Sequence, residues 1–252
     1  MPLKVIISGA SSGLGRALAQ HYAGMGATLG LIARRGALLE SLVAELPFSA
    51  TSTYVADVRD AQSIRAAAED FMERFGCPDI VIANAGISRG TLTEHAEDSQ
   101  VFEDILTTNV LGMLNLFQPF TLPMRAAGKG ALVGIASVAG YRGLPGSGAY
   151  SASKAAVMSY LESLRVEMHG SGISVITICP GYVVTPMTTN NPFHMPFIQT
   201  AEETAKKIAR VVESGNSFVV IPWQMAVVAA VLKLLPNFIY DRLFAAAPRK
   251  PR

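Results

Sequence analysis

Two cysteines and four histidines are spread over 252 residues, and each scarcity removes a class of function. Cys77 and Cys179 are too few and too far apart for a disulfide framework or a cysteine-rich zinc site, so they read as reduced thiols in a cytosolic core. His21, His95, His169 and His194 show no ligand spacing, and no metal is expected. Charge is scarce too. Only 16% of residues are charged, and 21 basic against 19 acidic side chains leave a net charge of +2. With no basic run before the last few positions, nucleic acid is not an expected partner. The chain enters a β-type run directly after Met1 and Pro2, without the charged and long apolar stretches of a secretory signal, so a cytoplasmic location is expected. Neither an internal repeat nor a low-complexity linker interrupts it.

What the chain has in excess is apolar character, half of its residues, much of it after Phe218. Short runs rich in Val and Ile recur at Leu3–Ser8, Ala27–Ala33, Thr51–Ala56, Asp79–Ala83, Ala131–Ala136, Ile173–Cys179 and Ser217–Ile221. Runs apolar on both faces read as buried parallel strands. Helical patterns lie between them, most clearly over Asp60–Phe75, where Ile64, Ala67, Ala68, Phe71, Met72 and Phe75 repeat at three and four residues behind an Asp cap. Regular alternation predicts an α/β fold: one domain with a doubly wound, parallel, seven-stranded sheet of the Rossmann type and helices on both faces. Ligands of such sheets bind at the carboxyl ends of the strands, where strand order reverses.

Directly after the first strand comes Ser8-Gly9-Ala10-Ser11-Ser12-Gly13-Leu14-Gly15, then a helix-compatible stretch from Arg16 to Ala23. Glycines there let the backbone turn tightly and approach a pyrophosphate, whose charge the N–H groups of a helix N-terminus favour. The spacing, Gly9, Gly13, Gly15, departs from the usual Gly-x-Gly-x-x-Gly. A residue that reads the adenosine ribose is expected at the end of the second strand, which here runs Ile32-Ala33-Arg34-Arg35 without an acid. An arginine suits the 2'-phosphate of NADP, so NADP(H) is the expected cofactor, with Arg34 as main ligand and Arg35 in support.

Tyr150 and Lys154 stand four residues apart in a helical segment, so their head groups share a face. A phenol titrates near 10 and needs a neighbour favouring phenolate to act near neutrality, and an ammonium within a few ångströms provides it. Ser137, ending the fifth strand, can donate a hydrogen bond to the same substrate oxygen.

Taken together, these residues resemble the short-chain dehydrogenase/reductase family in its form of about 250 residues, from about Leu3 to Ile221. The joint match comprises the glycine loop, Asp57, Asn84-Ala85-Gly86, Asn109, Ser137, Tyr150, Lys154, and Pro180-Gly181 with Thr185. Ser8 replaces the family's usual Thr and keeps its hydroxyl. The resemblance implies that Ser137 polarises a carbonyl, Tyr150 protonates the alkoxide, and Lys154 lowers the Tyr150 pKa and holds the nicotinamide ribose. It implies that Asn109 anchors a water relaying protons to Lys154. Ser11, Ser12 and Leu14 belong to the phosphate loop. Asp57 and Val58 would touch adenine, Asn84, Ala85 and Gly86 the ribose and backbone, and Pro180, Gly181, Val183 and Thr185 the carboxamide.

Residues 182–200, with Met187, Phe193, Met195, Pro196 and Phe197, correspond to the family's substrate lid. They suit a lipophilic carbonyl or alcohol, such as a 3-keto lipid, a steroid-like molecule or an acyl derivative, unless they simply pack the lid on the body. An epimerase or dehydratase of the extended family and a non-catalytic dinucleotide sensor are the rival readings. Residues 1–222 then form the catalytic domain, and 223–252 an apolar helical extension with a basic tail. From Trp223 to Leu235 that extension is apolar nearly all round, Pro236 breaks it, and Phe238, Ile239, Tyr240, Leu243 and Phe244 follow. At about 20 Å the first stretch is short of the roughly 30 Å bilayer core. Packing on another subunit of a homodimer or homotetramer, roofing of the substrate pocket, and peripheral docking at the inner membrane face all remain open. For docking, Trp223 and Tyr240 would be anchors, beside Lys233, Arg242, Arg249, Lys250 and Arg252.

Overall fold

In the computed structural model, which describes residues 2–46 and 50–251, a strand forms at each expected run, buried on both faces in the middle of the sheet and more exposed at its two edges. The strands are β1 (Lys4–Ser8), β2 (Thr28–Ala33), β3 (Thr51–Val55), β4 (Ile80–Ala83), β5 (Gly130–Ile135), β6 (Ile173–Pro180) and β7 (Phe218–Ile221). Each end lies within a residue of the expected run. All pairs are parallel, in the order β3-β2-β1-β4-β5-β6-β7. After β1 the chain winds one way to β2 and β3, and later the other way to β4, so the loops leaving β1 and β4 part and open a crevice between them.

Helices α1 (Gly13–Gly24), α2 (Gly36–Glu45), α3 (Ala61–Phe75), α4 (Asp98–Leu106), α5 (Gly112–Ala127), α6 (Gly148–Glu167) and α7 (Ala201–Ser214) cover the sheet. Alternate strand residues explain the two layers. Val5 and Ile7 pack with Leu18 of α1, Leu39 and Leu42 of α2 and Ile208 of α7. Ile6 and Val81 face the other way, toward Ile64 and Phe71 of α3, Phe117 and Phe120 of α5 and Leu161 of α6. Asp60 caps α3 by accepting from the backbone N–H of Gln62 and Ser63 at 3.0 and 3.3 Å. Gly30 lets α3 approach β2, since a Cβ there would sit 2.8 Å from the Phe71 ring.

The chain ends in α8 (Trp223–Leu234) and α9 (Asn237–Phe244), bent by 117° at Pro236. No single helix among the described residues is long and apolar enough to cross a membrane. The extension does not bury all its apolar side chains. Met225 and Ala229 face the body, whereas Trp223, Val227, Val231 and Leu234 are exposed. Arg142 holds the bend by donating to the carbonyls of Leu232 and Leu235 and to Asn237 Oδ1, and its guanidinium stacks over the Tyr240 ring. Tyr240, expected as an interfacial anchor, is buried and donates its hydroxyl to the Gly143 carbonyl.

Phe71 is fully buried where α3 meets β2. Phe71→Ala should cost about 3–5 kcal/mol in urea unfolding, because truncation removes buried surface and leaves a cavity. A loss under about 1 kcal/mol would contradict this packing.

Candidate active site

The loops at the carboxyl ends of β1, β2, β3, β4, β5 and β6 enclose one cavity of about 380 Å³. Its floor is set by the crevice between β1 and β4. The Ser8 hydroxyl accepts from the backbone N–H of Asn84 and of Ala85, both at 3.1 Å. The Asn84 amide donates to the carbonyls of Ser8 and Gly9 at 3.0 and 3.4 Å. Gly9 (φ +68°) lies in the left-handed region, and a Cβ on it would meet Ala85 Cα at 2.8 Å. Gly15 is packed equally close, against the Gly9 carbonyl and the Asn84 amide. Gly9, Ser11, Ser12, Gly13 and Leu14 line the cavity, and Gly15 supports them from behind.

Ser12 precedes α1 in an extended conformation and makes no side-chain capping bond. The first-turn N–H groups of α1 therefore receive no help from it, which suits an anion placed there. At the end of β2, Arg35 donates to the hydroxyls of Ser11 and Ser12 at 3.0 and 2.7 Å. Arg34 points outward, 58% exposed, and approaches Asp57 at 3.7 Å. The structure thus holds Arg35, rather than Arg34, against the glycine loop. Asp57 also accepts from Arg59 at 2.8 Å, and although burial pushes its carboxyl up, these arginine contacts hold it below the usual range. Asp57, Val58, Asn84, Ala85 and Gly86 all line the cavity.

Ser137, Tyr150 and Lys154 line the same cavity with Pro180, Gly181, Val183 and Thr185. Ser137 leaves β5 and begins a single 3₁₀ turn (Val138–Gly140), its hydroxyl accepting from the Ala139 N–H at 3.2 Å. Burial raises the Tyr150 pKa, and a hydrogen bond from the Ser137 hydroxyl works against that rise. Lys154 is buried, donates to the Ile135 carbonyl at 2.7 Å, and lies 5.7 Å from the centre of the Tyr150 ring. Burial lowers its ammonium to about 8. The expected lowering of the phenol by Lys154 is therefore not what this geometry provides: desolvation dominates both groups, and the ammonium is held by a carbonyl instead.

Asn109 does not line the cavity. It sits in a π-helical turn (Thr107–Leu111) between α4 and α5, a distortion the sequence pattern did not reveal. Its side chain exchanges hydrogen bonds with the Ile87 backbone at 2.8 and 3.0 Å and donates to Ser153 at 2.9 Å, which itself donates to the Tyr150 carbonyl. Asn109 thereby ties the loop after β4 to the helix carrying Tyr150 and Lys154. A Cβ on Gly86 would lie 3.7 Å from Lys154 Nζ, so the two halves of the cavity meet there.

Of Met187, Phe193, Met195, Pro196 and Phe197, only Met187 lines the cavity, together with Val183 and Pro186 from the start of the lid. Phe193 faces the Tyr182 ring at 6.2 Å, and Phe197 is half exposed. Two contributors went unread in the sequence. Lys250 donates to Ser88 at 2.9 Å and to the Met187 carbonyl at 3.3 Å, and Arg249 lies against Gly146. These basic residues strap the tail across the loops around the site instead of joining a free basic cluster, and Arg252 lies outside the described residues. Cys179, buried behind the site, has its thiol pushed to about 12 and is no nucleophile near neutrality. Among the described residues no three His, Cys, Asp or Glu side chains gather as metal ligands.

Comparison with known proteins places these features in context. A family model described as short chain dehydrogenase matches residues 4–195. An uncharacterized oxidoreductase of Myxococcus xanthus is 35% identical over 246 residues, covering 97% of this chain and 96% of its own. The dehydrogenase/reductase SDR family member 7B of Bos taurus is 32% identical over 268 residues, covering 98% of this chain and 82% of its own. The L-sorbose reductase of Gluconobacter frateurii, solved with NADPH and L-sorbose, superposes with a TM-score of 0.80 at 25% identity, over 87% of this chain and 95% of its own.

Lys154 gives a pH signature. Between about pH 8 and the ordinary lysine value of 10.5 it binds fewer protons folded than unfolded, so its contribution to stability rises with pH across that window. Lys154→Met should lack this rise, and urea unfolding of parent and variant at the two ends of the window measures it. Identical pH dependence in both proteins would contradict the burial of a titrating ammonium.

Proposed function

We propose that this chain, which belongs to the short chain dehydrogenase family, transfers a hydride between NADP(H) and a lipophilic ketone or its secondary alcohol. It is an oxidoreductase acting on alcohol or ketone groups, and a nicotinamide cofactor supplies or accepts the hydride. The observation that carries the reading is one cavity lined at once by the glycine loop and by Ser137, Tyr150 and Lys154.

The residues present fit the cofactor. The close approach permitted by Gly9 and the uncapped start of α1 suit a pyrophosphate, and Gly86, Lys154 and the Pro180–Thr185 segment suit the nicotinamide half. Arg35 with the Ser11 and Ser12 hydroxyls supplies donors for a 2'-phosphate, with Arg34 beside them and no acid at Ala33. In the catalytic half, the Ser137 hydroxyl donates a hydrogen bond to the substrate oxygen and Tyr150 delivers or accepts its proton. The phenol is protonated near neutrality with or without the rise that burial causes, so it has a proton to give to the alkoxide that forms as a carbonyl is reduced. Lys154 gains from any partner that compensates its buried charge, which a ribose hydroxyl offers. Ile87, Val183 and Met187 on the wall support an apolar substrate. Exposed Phe102, Leu111, Leu114 and Leu122 around α4 and α5 support a homo-oligomer.

Tyr150→Phe should leave NADPH binding nearly intact and lower turnover of a ketone panel at least about 100-fold, since positioned proton transfer contributes that much or more. Retention of a tenth of the activity would sink the assignment. An epimerase or a binding-only sensor would consume no NADPH in the same assay.

The unmodified protein should bind NADPH about ten- to a hundredfold more tightly than NADH, as charge-assisted phosphate bonds provide, and Arg34→Ala and Arg35→Ala should each erode that ratio. Equal dissociation constants for the two cofactors would refute the NADP reading.

A further inference from the structure

The exposed apolar face of the C-terminal helix pair has no counterpart in the site described above. Trp223, Val227, Val231 and Leu234 follow one another at spacings of four, four and three, so they form one stripe along α8, opposite the buried Met225 and Ala229. Trp223 is 71% exposed and Leu234 is 82% exposed. Beyond Pro236, Phe238 at 75% and Leu243 at 63% continue the exposure on α9. The helices cannot straighten into one rod without breaking the bonds from Arg142 to Leu232, Leu235 and Asn237.

We propose that this face docks the protein on the surface of an anionic lipid membrane, lying in the interface and not spanning it. Three observations support lipid over a second copy of the chain. Lys233 and Arg242 accompany the apolar side chains, and Asp241 is the sole acid between residues 223 and 251. A second copy meeting this extension offers only Asp241 to compensate these cations, whereas acidic headgroups compensate both. Trp223 at the start of α8 is the side chain best suited to the headgroup boundary. The 12 residues of α8 span about 18 Å and the bend redirects the chain, a shape that lies on a surface.

The position of the stripe gives docking a use. Helix α8 begins where β7 ends, at the carboxyl edge of the sheet that carries the cavity. Met225 packs against Gly181, leaving 2.7 Å to a Cβ there, and the tail after α9 reaches Ser88 and Met187. A docked protein holds its substrate loops near the lipid, so a membrane-dissolved ketone reaches Tyr150 without crossing bulk water. This last step rests on the lipophilic substrate proposed above, but docking itself does not.

The test uses the whole protein with vesicles of phosphatidylcholine alone or mixed with equal parts phosphatidylglycerol. Each lysine or arginine near an anionic surface strengthens binding roughly fivefold, so Lys233 and Arg242 together should favour the anionic vesicles by about twenty-fivefold, less at high salt. Trp223 is the only tryptophan, so docking should shift the protein's emission to shorter wavelength. The double variant Val231→Glu, Leu234→Glu should fail to float while reducing a water-soluble ketone at the parent rate. The proposal is overturned if the parent neither floats nor shifts its emission, if the variant floats equally well, if neutral vesicles bind as tightly, or if the variant merely splits a soluble oligomer. Flotation needs no turnover, so failure to reduce any ketone would count against the proposed function and leave the docking result standing.

Discussion

The site depends on the hydrogen bonds between Ser8 and Asn84 at the point where strand order reverses. There β1 and β4 lie side by side while their following loops part, and backbone groups at such a parting would be left unpaired in a buried place. One serine hydroxyl accepts two backbone N–H groups from the β4 loop, and one asparagine amide returns two bonds to the β1 loop. This exchange fixes how far apart the walls stand. Gly9 and Gly15 can then pack against Ala85 and Asn84 with no Cβ between them, which brings the glycine loop to the crevice. A larger side chain at either glycine would force the walls apart.

From that crevice the electrostatics follow. The cavity places a phenol and an ammonium where water is largely excluded, so each favours its neutral form: the Tyr150 pKa rises and Lys154 falls to about 8. The Ile135 carbonyl and the Ser137 hydroxyl compensate only in part. Such a site is set for a ligand that brings hydroxyl groups and a polar carbonyl to these side chains. Asn109 contributes at one remove. Its π turn lets one side chain bond both the β4 loop and Ser153, so the helix bearing Tyr150 and Lys154 is registered against the loop that faces it.

Much of this was legible in the sequence because it rests on local patterns. Strands buried on both faces are continuous apolar runs, and the α3 stripe with its Asp60 cap has the period of a helix. The glycine loop, Ser137, Tyr150 and Lys154 carry their spacing in the chain. What escaped depends on contacts between distant segments. Nothing near Asn109 marks a π turn, and nothing in Lys250 announces a bond to Met187. Arg34 and Arg35 are equivalent as letters, and only the path of the chain out of β2 turns one toward Ser11 and the other toward Asp57. The composition of residues 223–244 demanded burial, yet the fold fully buries only Met225, Ala229 and Tyr240, partly covers Val228, Leu232, Leu235 and Phe244, and leaves Trp223, Val227, Val231, Leu234, Phe238 and Leu243 outward. Desolvation of Tyr150 and Lys154 was equally hidden, since pattern places two head groups on one face but does not say how much water surrounds them.

The central claim is that the glycine-loop half and the tyrosine half of this cavity act as one hydride-transfer site. The most direct test is a single-turnover reaction of the purified protein with NADPH deuterated at the nicotinamide C4 and an apolar ketone, followed by mass analysis of the products. The account predicts deuterium on the carbinol carbon of the alcohol, from one face of the nicotinamide only. Oxidation of NADPH without deuterium in the alcohol, or no oxidation while the cofactor is bound, would contradict it.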